Sequence, residues 1–90
     1  MNIPAWRAKI DELDRKLVEL ISQRAEAAHA IGRLKRGVQM PVYEPDREQA
    51  VFENVKRANP GPLSDDDLIQ IYERLMFIMR RIQHEETSSL

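Results

Sequence analysis

Residues 4–36, PAWRAKIDELDRKLVELISQRAEAAHAIGRLKR, carry the reading that decides the fold. Apolar side chains recur at alternating spacings of three and four: Ile3, Trp6, Ile10, Leu13, Leu17, Leu20, then Ala27, Ile31, Leu34 and Val38. That period marks one face of a helix. The position that completes the series between Leu20 and Ala27 is held by Arg24. A guanidinium on a buried seam is costly unless an anion meets it. Arg24 therefore calls for either an internal carboxylate or a ligand.

The helix is predicted from about Pro4 to Arg36, with Pro4 in a first turn where its missing N–H would be unpaired anyway. At 1.5 Å per residue it spans roughly 50 Å. A compact chain of this length has a radius of gyration of about 12 Å, hence a diameter of about 30 Å. The helix must project beyond its own subunit, yet its apolar stripe runs to both ends. A homodimer in which the long helices pack on each other resolves the conflict, and a 3.5-residue repeat suits near-parallel packing.

The rest of the chain reads as loop, helix, turn, helix. Gly37 is read as the stop for the first helix, after Lys35 and Arg36. Gly32 lies inside it and is read as marking a close backbone approach. Residues 37–44 form a loop. Pro45 starts a second helix over about 45–58, with Val51, Phe52 and Val55 on its apolar face, and Asn59-Pro60-Gly61-Pro62 ends it. Ser64 caps a third helix over about 64–85, and Asp65, Asp66 and Asp67 suit its first turn. Leu68, Ile71, Leu75, Ile78 and Ile82 form one stripe of this helix. Ile69, Tyr72, Met76 and Met79 form an adjacent one that ends in Gln83. The polar tail from Glu85 to Leu90 is expected to fray. The fold class is all-α, one domain over 1–90.

Composition excludes several functions. A 42% hydrophobic and 32% charged chain is globular rather than disordered. Net charge is −1, so no bulk positive field draws it to nucleic acid or a membrane. Without cysteine there are no disulfides and no thiolate chemistry. The start of the chain lacks a basic segment followed by an apolar one, and no stretch reaches the length of a membrane span. A cytoplasmic protein is the expectation. His29 and His84 lack partners at metal-ligand spacing and read as incidental, so no metal site is expected.

The polar residues converge. Lys35 lies eleven residues after Arg24, only about 20° off the same line and three turns along. Arg7 lies seventeen residues before Arg24, roughly 100° round and about 25 Å away, so it reaches a shared ligand only from the other subunit of an antiparallel dimer. Arg47 and Glu48 stand in the first turn of the second helix. Each has a bland reading: register fixing for Arg24, helix-end capping for Lys35, surface charge for Arg47 and Glu48, a solvated helix end for Gln83. Together they describe cations, a carboxylate and a neutral amide around a small dianion that also carries a hydroxyl. No Ser-His-Asp set, metal cluster or glycine-rich phosphate loop accompanies them. The chemistry implied is positioning and electrostatics, with no cofactor.

The chain resembles the all-helical chorismate mutases from Trp6 to Gln83. The anchors are Arg7-x-x-Ile10-x-x-Leu13-Asp14, Leu20-Ile21-x-x-Arg24, Ile31-Gly32-x-x-Lys35, Pro45-Asp46-Arg47-Glu48 and Gln83. The resemblance implies an intertwined helical homodimer of three-helix subunits that rearranges chorismate to prephenate on the route to phenylalanine and tyrosine. It implies that Arg24 grips one substrate carboxylate, and that Arg7 meets the enolpyruvyl carboxylate from the other subunit. Lys35 would touch that carboxylate and the ether oxygen, Gln83 would donate to the same ether oxygen, and Glu48 would accept from the ring hydroxyl. Glu44 and Arg47 would line that end. One departure is Met79, where some members carry a serine near the ring carboxylate. A shikimate-pathway partner enzyme is compatible with the resemblance. The competing readings are an isochorismate-pyruvate lyase on the same fold and a non-catalytic regulatory or dimerisation module.

Overall fold

The computed structural model describes residues 2–88 as three helices: α1 (Ile3–Val38), α2 (Pro45–Ala58) and α3 (Asp65–Ser88). α1 begins where Asn2 Oδ1 accepts the Ala5 N–H at 2.9 Å. That satisfies one of the first-turn donors with no partner of their own inside the helix. Pro45 opens α2, with Asp46 and Glu48 at its positive end and Lys56 and Arg57 at its negative end. Ser64 Oγ accepts the Asp67 N–H at 3.1 Å, as its capping position predicts. Between α2 and α3 the Asn59 amide bonds to Leu63 O at 2.8 Å and to Asp65 Oδ1 at 2.9 Å, and Gly61 takes φ +70. One member of the acidic triplet thus holds the turn.

Two helix ends differ from the sequence reading. α1 passes through Gly37 and stops at Gln39, which adopts the left-handed conformation at φ 57. There the Gln39 and Met40 N–H groups both reach back to Lys35 O, the latter at 3.0 Å, and close the last turn. The tail does not fray at Glu85. It stays helical to Ser88 because Glu86 is tied to α1; Ser89 and Leu90 lie outside the described residues.

The tie corrects the reading of His29 as incidental. Its Nδ1 lies 2.8 Å from Glu86 Oε1, Arg33 Nη1 lies 3.5 Å from the same oxygen, and Arg36 Nη1 donates to Glu86 O at 3.1 Å. The His29 hydrogen bond, with the nearby cations, holds the Glu86 carboxyl below its ordinary value of 4.5. A depressed folded value means the contribution is complete above about pH 4.5 and is lost as pH falls through the lower folded value. Acid titration of thermal stability should therefore show a step below pH 4.5 that Glu86→Gln lacks.

α3 packs against α1 on one side and α2 on the other. Its buried side chains are Met76 and Met79, and the buried residues of α1 are Ala28, Gly32 and Lys35. At Gly32 the two helices approach closely. A Cβ there would stand 2.8 Å from Glu86 Cβ and 3.0 Å from both Gln83 Cα and Gln83 O. Backbone cannot yield as a side-chain tip can, so Gly32→Ala should push α3 away and carry Gln83 with it. The expected result is a loss of about 1–3 kcal/mol in thermal unfolding.

The molecule is long, with principal extents of 53 × 25 × 15 Å and a radius of gyration of 16.1 Å, against about 12 Å for a compact chain of this size. The first half of α1 carries its apolar stripe uncovered. Trp6, Ile10, Leu13, Leu17 and Leu20 are between 48% and 62% exposed. Burying such a side chain fully contributes about 1.5–3 kcal/mol. No helix among the described residues is long and apolar enough to cross a membrane.

Candidate active site

The second half of α1, the start of α2 and the second half of α3 line an open cavity of about 380 Å³. α1 supplies Arg24, Ala27, Ala28, Ile31 and Lys35, one face of three consecutive turns. α2 and the loop before it supply Val42, Glu44, Arg47, Glu48 and Val51. α3 supplies Met76, Met79, Arg80 and Gln83. Of the sequence-derived candidates, Arg24, Lys35, Glu44, Arg47, Glu48 and Gln83 meet in this one space. Arg7 does not. It is exposed on α1, about 25 Å along the helix from Arg24.

Lys35 is the most buried charge, with its side chain only 9% exposed. Its ammonium has three N–H donors, and three acceptors surround it. They are Gln83 Oε1 at 2.9 Å, Glu44 Oε1 at 2.9 Å and Val42 O at 3.2 Å. This satisfies a cation that burial would otherwise penalise heavily. The contact also orients Gln83: with Oε1 on Lys35, its Nε2 is the end left to donate to a ligand.

Glu48 is held by Arg80, with Oε1 accepting from Nη2 at 3.2 Å and Oε2 lying 3.1 Å from Nε. Nε is off the hydrogen-bond axis, so the second contact is an ion pair rather than a directed bond. The guanidinium stacks over Tyr43, 4.8 Å from the ring centroid. Arg80 and Tyr43 escaped the sequence reading. Arg80 follows Met76 by four residues and precedes Gln83 by three, so helical spacing alone places it on their face.

Four cations against two carboxylates leave the cavity wall with an excess of two positive charges. Lys35 and Arg80 are paired internally. Among the described residues Arg24 and Arg47 make no ion pair; the Arg24 guanidinium lies 6.0 Å from the Tyr72 ring centroid. An electropositive cleft of this size fits a small dianion.

A family model described as chorismate mutase type II matches residues 6–84. The chain belongs to that family. The bifunctional chorismate mutase/prephenate dehydratase of Pseudomonas aeruginosa is 37% identical over 80 residues, covering 83% of this chain and 22% of that protein. The chain spans about a fifth of the length of the first curated relatives it matches. Two solved structures share its fold over nearly their whole length. The chorismate mutase (form II) of Thermus thermophilus superposes with a TM-score of 0.88 at 27% identity, over 91% of this chain and 93% of that one. The chorismate mutase of Helicobacter pylori, solved in complex with prephenate, gives 0.87 at 30% identity, over 98% and 96%. The three-helix architecture with its long α1 is thus that of the chorismate mutase type II fold.

Proposed function

We propose that this chain is a cytoplasmic chorismate mutase, one domain over residues 1–90, working as an intertwined homodimer. The observation that carries the reading is a cavity with two surplus positive charges and a lysine and an amide side by side at its wall. Chorismate carries two carboxylates, a ring hydroxyl and an ether oxygen that becomes electron-rich as its C–O bond breaks.

Arg24 grips one carboxylate bidentately. The other displaces Glu44 from Lys35, exchanging one carboxylate for another on the same ammonium. Arg47 supplies further positive charge at the Glu44 end. Glu48 accepts from the ring hydroxyl. These clamps select the compact diaxial conformer in which the two reacting carbons approach. The C–O bond then breaks as the C–C bond forms, within one molecule and with no proton transferred. Negative charge gathering on the ether oxygen is met by Lys35 and by Gln83 Nε2, donors already in place before the reaction. Met79 lines the wall where a hydroxyl donor would otherwise help hold the ring carboxylate, which leaves that task to Arg24.

The dimer supplies what one subunit lacks. The uncovered stripe from Trp6 to Leu20 is large enough to need a partner, and the 53 Å length leaves it clear of its own α2 and α3. In an antiparallel pair, Arg7 of one subunit reaches the cavity of the other and joins Lys35 at the enolpyruvyl carboxylate.

The pH dependence of a single variant tests the reading. Gln83 is neutral and donates at any pH. Glutamate donates only when protonated, and its ordinary value is 4.5. Gln83→Glu should therefore be nearly inactive at neutral pH. Its kcat should rise about tenfold for each pH unit of acidification until the carboxyl is protonated. A pH profile parallel to that of the wild type would contradict the role given to Gln83.

A further inference from the structure

We propose that Arg80 is a positioning residue that fixes Glu48 for its contact with the substrate hydroxyl; the inference rests on the chorismate reading above. Glu48 begins on α2 and Arg80 on α3, so their contact sets how the start of α2 sits over the cavity. The guanidinium is held from two directions. Its edge faces both oxygens of Glu48, at 3.1 and 3.2 Å, and its plane lies against Tyr43 with the ring centroid 4.8 Å away. Tyr43 belongs to the loop whose Val42 carbonyl accepts from Lys35. Arg80 therefore joins the Glu48 end of the cavity to the Lys35 end.

An ionised carboxylate has about four lone-pair sites on two oxygens. The Arg80 fork occupies one side of the group and leaves the other to accept from a hydroxyl. Without the fork, a partly exposed glutamate on a helix samples several rotamers, and the acceptor is no longer placed before the ligand arrives. Lysine restores the charge but not the planar guanidinium that meets Glu48 with its edge and Tyr43 with its face. Arg80 also borders the cavity, so the rival assignment is direct contact with a substrate carboxylate. The two roles part on a ligand that lacks the hydroxyl.

The experiment measures kcat and KM on chorismate and on the analogue whose ring hydroxyl is replaced by hydrogen. The proteins are wild type, Arg80→Met, Arg80→Lys, Glu48→Gln and the double variant Arg80→Met/Glu48→Gln, each checked for folding by thermal melting. Loss of a hydrogen bond to a charged group corresponds to about a 10- to 100-fold fall in kcat/KM on chorismate for Arg80→Met. On the analogue the fall should stay under about threefold. Arg80→Lys should recover part of the loss, and the double variant should be no worse than Glu48→Gln alone. Equal losses on both substrates, or losses that multiply in the double variant, would overturn the proposal in favour of direct contact. So would unchanged turnover in Arg80→Met. If Arg80→Met does not fold, Arg80→Lys carries the same comparison between the two substrates. Failure of wild type to turn over chorismate sinks the parent reading and this inference with it. Normal turnover by Glu48→Gln, with wild type active, overturns the positioning role alone.

Discussion

Arg24→Ala should lower kcat/KM for chorismate by about a thousandfold while the protein stays folded. A bidentate arginine–carboxylate contact in a cleft walled by Ala27, Ala28 and Ile31 is shielded from water on the α1 side. Removing one partner of such a contact costs about 3–5 kcal/mol, and each 1.36 kcal/mol is a factor of ten in rate. The loss should fall on kcat as well as KM, because the same grip holds the reactive conformer. Stability should barely move. Arg24 makes no ion pair among the described residues, and its ring neighbour Tyr72 is at the outer limit of a cation–π contact. Thermal melting within about 1 kcal/mol of wild type, beside a collapse in turnover, separates a lost ligand contact from a damaged fold. Wild-type activity in Arg24→Ala would remove the cavity from consideration as the site.

Arg7→Ala should be nearly inactive as a homodimer, by about a hundredfold or more, although Arg7 is nowhere near the cavity of its own subunit. The sharper result comes from mixing. A two-fold dimer of Arg7→Ala with Arg24→Ala contains one site with both defects and one with neither. After random exchange half the molecules are such hybrids, so specific activity should recover to about a quarter of wild type from two inactive parents. No recovery despite exchange demonstrated by mass would mean that Arg7 does not serve across the interface. The uncovered α1 stripe would then need an explanation unrelated to a shared site.

The parts of this molecule legible in its sequence are those set by local geometry. Arg24 and Lys35 share a wall because eleven residues return a helix to nearly the same line. Pro45 and Ser64 mark helix starts because a missing N–H and a side-chain acceptor act within one turn. Gly32 signals a close approach because only a missing Cβ admits the α3 backbone there. The parts that escaped depend on partners far along the chain. Nothing local tells Glu48 to choose Arg80, thirty-two residues away, over its neighbour Arg47. The Glu86 tail stays helical through His29 and Arg33, which α1 contributes. The left-handed stop fell on Gln39 rather than Gly37 because the backbone preference of glycine is worth only about 1 kcal/mol, an amount two more helical residues and a capped Lys35 carbonyl can match. Arg7 is legible only as an outlier, about 25 Å along α1 from Arg24.

The most direct test of the central claim is to incubate the purified protein with chorismate, with no added metal or cofactor, and to identify the product by chromatography. The account predicts prephenate, formed at a rate that Arg24→Ala does not sustain. Chorismate recovered intact would contradict it, and pyruvate released from isochorismate under the same conditions would reassign the cavity to a lyase.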